Sequence, residues 1–424
     1  MIYFTVVPSE KSGFTDQLLQ LTVLMTIGKS LNFRFYHTKL VSVRSSGILE
    51  NHGSGQGKEM TSGAFGTMEP PSKYDLLDIY DFLGINEYLH SISSPLDGQP
   101  IVVPEIKLSD ELLRTRQISS YGGLLTYISS LTDCDSCHRS EIMLVRLSVE
   151  GQRTFYKYVV DDIRFQKFAL NFGKIYNQTR KNLPHPSLFS GTNGKKVLVH
   201  VRQGDISVIR TPWRTYIPVD KRIEGWMGEF HDIAEIKSLR DVNQLLFPDD
   251  FRRFLSSFHE CIEPDGYEML LFSDGYERAF QMIFGRLQTF RFNEVHKQAL
   301  INSSEKYNDE IFKDFDALPN CRRFVGESVN QLFDLVDSVI NADVVVVGVQ
   351  QRMIVKLIAQ FCPDSGPVVI VLFRTERPDF SNIHPRDQER FIYVDINHYH
   401  TGEIRERIQH DSNILLQKSL RKDE

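Results

Sequence analysis

The sequence predicts an α/β protein made of two αβ domains in series, and three observations carry that expectation. The chain has 424 residues, too many for one compact core and enough for two domains of roughly 150–200 residues. Short apolar runs of strand length alternate with segments of helical periodicity along most of it. Several of the runs, such as DVVVVGV and PVVIVLF, are apolar throughout rather than alternating, as in parallel strands covered on both faces.

The first domain is expected over residues 1–185. IYFTVV opens it as a strand. SEKSGFTDQ turns the chain, and a helix begins near Thr15 or Asp16 and runs through QLLQLTVLMTIGKSL. FRFYHT is the next strand, completing a β-loop-α-β start. Residues 45–73 are rich in Gly and Ser and read as a long mobile loop. DLLDIYDFLGINEYL is expected to be helical, QPIVVPE a strand, GGLLTYISSL a helix and EIMLVRLS a strand. A long helix is expected from about Gly151 to Asn182.

Leu183-Pro-His-Pro and SGTNGKK interrupt the pattern, which sets the domain boundary near 184–195. The second domain is expected over 190–400. Its strands are VLVHV, EMLLFS, ADVVVVG, PVVIVLF and FIYVDI, with helices at FPDDFRRFLSSFHECI and VNQLFDLVDSVIN between them. A final helix, over 402–424, is a candidate to pack back on the first domain. Two αβ domains in series imply a cleft, and open parallel sheets bind ligands at the carboxyl ends of their strands.

Bulk properties narrow the function classes. Hydrophobic residues make up 41% and charged residues 25%, a globular composition. The formal net charge of −6 argues against nucleic acid as the main partner. The longest apolar runs fall well short of the ~20 residues of a membrane span. MIYFTVVPSEKSG lacks the pattern of a signal peptide, and five cysteines do not make a disulfide framework, so the expected compartment is the cytoplasm.

The most chemically loaded stretch is VLVHVRQGD, residues 197–205. Alternation puts His200 and Arg202 on one face at the end of a core strand, and Gly204 permits a sharp turn after it. An always-charged, bidentate donor at a strand's carboxyl end suits a phosphate. A salt bridge from Arg202 to Asp205 is the plain structural alternative. Ser273 and Asp274 end another apolar strand, where they fit either a nucleoside contact or a helix N-cap.

H-x-R-x-G-D after a strand that opens a second αβ domain resembles the donor-binding motif of the fucosyltransferase superfamily, the α1,2-, α1,6- and protein O-fucosyltransferases. EMLLFSDGYERAF, FVGESVNQLFDLVDSVINADVVVVG and GVQQRMIVKLIAQF follow in the family's order, and GFTDQLLQLTVLMTIGKSL loosely resembles its opening loop and helix. The likeness covers residues 195–362 well. It implies the glycosyltransferase-B architecture, two Rossmann-like αβα domains facing each other across a cleft. It implies a GDP-sugar donor and no metal. Arg202 would bind the β-phosphate, His200 would support it, and Ser273 and Asp274 would face the nucleoside, the carboxylate accepting from guanine. Where the family often has Ser or Thr to bind phosphate, this chain has Gln350, Gln351 and Arg352. Arg352 there is either a second cation for the diphosphate or an obstruction that changes or abolishes activity.

The acceptor side draws on residues 211–233, which hold both tryptophans, Trp213 and Trp226, with Arg214, Tyr216, Glu224 and His231. Aromatic faces and carboxylates suit a sugar; an ordinary packed insertion has the same composition. Asp205, Glu224 and His231 are candidates for the general base. Asp16, His37 and the 45–73 loop are candidates to reach the cleft from the first domain; a buried core histidine is the plain alternative for His37, and a disordered insertion for the loop. Three look-alikes carry less. Asp133/Asp135 and Asp314/Asp316 have Asp-x-Asp spacing, a very common pattern. Cys134-Asp-Ser-Cys137-His138 matches a haem-attachment pattern but reads as a loop turn. The expectation is therefore an inverting, metal-independent glycosyltransferase moving a sugar, fucose from GDP-fucose, to a glycan hydroxyl. The alternative is a non-catalytic sugar-nucleotide- or glycan-binding protein on the same fold.

Overall fold

A computed structural model describes residues 2–6, 30, 34–35, 43–44, 73–74, 105–108, 110–132, 143–147, 172–180, 187–189, 194–202, 208–210, 215–218, 231–232, 246–262, 266–275, 295, 310–325, 329–348, 358, 362, 366–374 and 390–420. The chain divides into two compact units, Met1–Ser54 with Glu69–Pro184 and Gly55–Met68 with His185–Glu424.

The first unit holds β1 (Ile2–Val6), β2 (Arg34–Phe35), β5 (Glu105–Leu108) and β6 (Met143–Leu147), paired in parallel in the order β2-β1-β6-β5. β3 (Val43–Arg44) and β4 (Lys73–Tyr74) pair antiparallel, so the two ends of the predicted 45–73 loop are hydrogen-bonded neighbours. The described part of β5 is Glu105–Leu108; the rest of the predicted QPIVVPE lies outside the described residues. α1 (Asp110–Thr115) and α2 (Tyr121–Thr132) follow, and α3 (Phe172–Arg180) is the described part of the predicted long helix. Tyr121, Leu124, Ile128 and Tyr176 are fully buried, and the Tyr121 hydroxyl lies 2.5 Å from Ser30 Oγ.

The second unit is organised by a six-stranded, wholly parallel sheet. Its strands are β7 (Lys195–His200), β11 (Tyr267–Ser273), β12 (Cys321–Val325), β13 (Val344–Gly348), β14 (Val368–Phe373) and β15 (Phe391–Asp395). The spatial order is β12-β11-β7-β13-β14-β15. Counted along the chain within this unit, that is 3-2-1-4-5-6. Val344–Val347 and Val368–Leu372 are buried without interruption, which explains their unbroken apolar character.

β12 was not legible as a strand. CRRFV sits at the sheet edge with one neighbour, so its side chains are half-exposed and two of them are arginines. Arg322 pairs with Glu268 at 2.5 Å and Arg323 with Asp316 at 2.7 Å, tying the edge to its surroundings. Phe324 stacks on Phe272 of β11, ring centroids 5.0 Å apart.

The helices of this unit follow the predicted periodicity. α4 (Pro248–Ser256) starts at a capping box in which the Asp250 carboxylate accepts the Phe247 N–H at 2.9 Å. The predicted helix over 247–262 is broken at Ser257, and a 3₁₀ turn, Phe258–Glu260, completes it. α5 (Val329–Asn341) and α6 (Thr401–Leu420) run as predicted. The contacts described for α6 are with its own unit. Thr401 donates to Glu260 at 3.1 Å, Arg407 donates to the Phe391 carbonyl, and Ile404 and Ile408 are buried. Among the described residues, no helix is long and apolar enough to cross a membrane.

A further sheet was not expected. β8 (Val208–Arg210), β9 (Thr215–Pro218) and β10 (His231–Asp232) form an antiparallel meander directly after the arginine motif. Charged and aromatic residues in that segment hide the period-2 pattern that identifies strands.

Candidate functional site

In the order 3-2-1-4-5-6 the strand order reverses between β7 and β13, and in open parallel sheets ligands bind outside the carboxyl ends of the strands at such a point. The strand-end motifs converge there. His200 is the Cα partner of Phe272 on one side and of Val347 on the other. β11, β7 and β13 therefore end side by side, carrying Ser273-Asp274, His200–Arg202 and Gly348 respectively. Residues separated by more than 140 positions in sequence meet at one sheet edge because parallel pairing aligns strand ends.

The local geometry differs at each end. Val201 donates its N–H to the Phe272 carbonyl at 2.8 Å, extending the ladder one residue past β7 and setting the height of Arg202. Arg202 is half-buried, whereas His200 is only 5% exposed. On β11, Ser273 Oγ accepts the N–H of Gly275 at 3.0 Å. Gly275 has φ of +67°, a left-handed conformation that favours glycine, so the strand turns sharply there. The Ser273 hydroxyl thus closes a turn two residues long, and Asp274, half-buried, stands at its apex.

Gly348 ends β13 against helix α4. A Cβ at this position would stand 3.1 Å from Leu246 Cδ1 and 3.2 Å from Phe251 Cζ. The absence of a side chain lets the first turn of α4 approach the end of β13. Beside it, at the carboxyl end of β14, Arg374 pairs with the buried Asp250 of that same turn. The sequence reading missed Arg374. An arginine after an apolar strand was the available signal, the same one that singled out Arg202.

Asp205, Gln350, Gln351 and Arg352 lie outside the described residues, as do Asp16, His37, Trp213, Arg214, Glu224 and Trp226. Tyr216 and His231 are described as backbone: they are cross-strand partners in the β9–β10 pair, and Arg210 is the partner of Tyr216 on β8. Asp314 and Asp316, one of the Asp-x-Asp pairs, lie in a 3₁₀ helix (Lys313–Ala317). Arg252 stands 3.8 Å from Asp314, and Arg323 pairs with Asp316, so both carboxylates face cations. Cys134, Cys137 and His138 lie outside the described residues. Among the described cysteines, burial pushes the thiols of Cys261, Cys321 and Cys362 up to about 12, so each is a neutral S–H at neutral pH. Among the described residues no cluster of three or more His, Cys, Asp or Glu side chains is arranged to hold a metal.

No family model, curated protein or solved structure matches the chain.

Proposed function

We propose that the chain is an inverting, metal-independent glycosyltransferase that transfers a sugar from a GDP-sugar, with GDP-fucose as the donor, to a glycan hydroxyl. On this reading both units are Rossmann-like and together make the glycosyltransferase-B arrangement. The observation that supports it most is the place of Arg202. It stands at the carboxyl end of the first strand of the 3-2-1-4-5-6 sheet, where the strand order reverses, beside the end of β13 at Gly348. Ser273 and Asp274 end the neighbouring strand, in the order expected for a nucleoside contact.

The chemistry follows from those positions. The acceptor hydroxyl attacks the anomeric carbon, the bond from that carbon to the β-phosphate oxygen breaks, and its electron pair leaves with GDP. Arg202 stabilises the negative charge that develops on the diphosphate. The acceptor proton passes to a base, for which Asp205, Glu224 and His231 are the candidates. His200, buried in the sheet beneath Arg202, suits a supporting role rather than a direct contact. Gln350, Gln351 and Arg352 in place of small hydroxyl residues favour the second reading, a protein that binds a sugar nucleotide without transferring it.

The test is a thermal-shift panel of GDP, UDP, ADP, CMP and their sugars, followed by transfer assays with the donor that raises the melting temperature. The reading expects a GDP-sugar to bind and be turned over, and Arg202→Ala to lose both binding and transfer with the fold intact. Unchanged turnover in Arg202→Ala would sink it. Binding without transfer or hydrolysis would select the second reading.

A further inference from the structure

We infer that Ser273 is a positioning residue, one that fixes Asp274 beside Arg202 and does not itself touch a ligand. The inference rests on the proposed nucleotide-sugar reading and gives separate roles to two residues that are neighbours in sequence. Register separates them. Phe272 is the Cα partner of His200, so these two side chains share a face of the sheet. Side chains alternate along a strand, so Arg202 stands on that face with His200. Ser273 stands on the other, with Leu271, Val199 and Val201. Val201 is fully buried and Ser273 is 2% exposed, so that face is packed at this height. A ligand held on the Arg202 face is therefore across the sheet from the Ser273 side chain. Asp274, half-buried, is the residue that alternation returns to the Arg202 face.

The Ser273 hydroxyl has its task in the backbone. Its oxygen accepts the Gly275 N–H at 3.0 Å, and Gly275 takes φ of +67°. Asp274 is the one residue enclosed between them. A side-chain bond that spans a residue in this way holds its backbone much as a β-turn would. The carboxylate of a held residue has less conformational freedom to lose when it binds. The bond is buried, so removing the hydroxyl leaves the Gly275 N–H without this acceptor away from water and loosens the turn. Two hydrogen bonds from the guanine edge to one carboxylate require the plane of that carboxylate to be set. Turn geometry at Ser273 is thereby converted into base preference at Asp274.

The probes are GDP and inosine diphosphate, which lacks the exocyclic amino group of guanine, titrated by calorimetry against the full chain. The ratio of their dissociation constants reports the carboxylate contact and is insensitive to the fraction of protein that is folded. Wild type is expected to prefer GDP by about tenfold or more, and Asp274→Asn to lose that preference. Ser273→Ala should cut the preference by on the order of threefold to tenfold, while Ser273→Thr, which keeps the hydroxyl, should retain it. If Ser273→Ala fails to fold, Gly275→Ala strains the same turn from its other end and carries the same measurement. A Ser273→Ala protein that keeps the wild-type preference overturns the assignment even if its melting temperature falls, and leaves the nucleotide reading standing. Equal loss in Ser273→Thr overturns it as well. A wild type that binds both nucleotides equally overturns the role of Asp274 and with it that of Ser273. A wild type that binds neither overturns the nucleotide reading too.

Discussion

Asp343 and Lys196 exchange two hydrogen bonds. The Asp343 N–H donates to the Lys196 carbonyl at 2.8 Å, and the Lys196 N–H donates to the Asp343 carboxylate at 2.8 Å. The Asp343 carbonyl also accepts the Val368 N–H at 3.0 Å. One residue thereby ties together the starts of β7, β13 and β14, the strands whose far ends carry Arg202, Gly348 and Arg374. Register fixed at the start is transmitted along each strand, because a parallel ladder cannot slip without losing every bond in it.

Asp343→Ala removes the side-chain acceptor and leaves the Lys196 N–H to water. The site is exposed, so the cost is expected to be modest, about 1 kcal/mol. Urea denaturation should show a lower midpoint with an unchanged slope. Asp343→Asn, which keeps an acceptor oxygen, should recover most of the loss.

Gly366→Ala should be far more damaging. A Cβ there would fall 2.1 Å from Arg390 Nη1, 2.4 Å from Cys362 Cβ and 2.8 Å from the Cys362 carbonyl oxygen. Arg390 is 2% exposed and donates to that carbonyl at 2.5 Å, so the guanidinium has no open space to retreat into. Displacing it breaks a buried charged hydrogen bond as well as the packing, and a loss of about 3 kcal/mol or more is expected. Melting of the purified variant checks this; a melting temperature within a degree or two of wild type would contradict the packing described.

Stability should fall on the alkaline side. Burial dominates the upward shift of all three described thiols, reinforced by Glu260 at Cys261 and by Asp316 at Cys321, and opposed by Arg323 at Cys321 and by Arg390 at Cys362. An unfolded thiol ionises near pH 8.5. Between that point and about 12 the unfolded chain has released protons that the folded chain still holds, so unfolding is favoured as pH rises. The contribution is fully present below pH 8.5 and is lost progressively above it. Denaturant titrations from pH 7 to 11 should show this decline, and replacing Cys362 with Ala or Val should flatten it. The same burial predicts slow alkylation of these cysteines in the native protein, with rapid reaction in denaturant.

Local chemistry accounts for most of what could be read before the fold was known. A strand covered on both faces has to be apolar at every position, so Val344–Val347 and Val368–Leu372 identify themselves. α5 and α6 carry helical periodicity over 13 and 20 residues, long enough to be unambiguous. Strands that are not buried on both faces left weaker marks. CRRFV at the sheet edge and the β8–β10 meander are held by pairing with neighbours rather than by an apolar pattern, and pairing partners cannot be read from one strand alone.

The sequence by itself determined the α/β character, the main parallel strands and the presence of Arg202 and Ser273-Asp274 at strand ends. Those are consequences of burial and of local turn chemistry. Only the tertiary structure decided which strand ends are neighbours. The order 3-2-1-4-5-6 is a long-range arrangement set by how helices and strands pack, and it brings Arg202 beside Gly348 and within two strands of Arg374. Asp250, which in the sequence looks like one more acid in the first turn of a helix, is buried at 5% exposure because Arg253, Arg374 and the Phe247 N–H all converge on it. A carboxylate is retained inside a fold only when such partners are supplied, and here they come from both ends of a 124-residue separation.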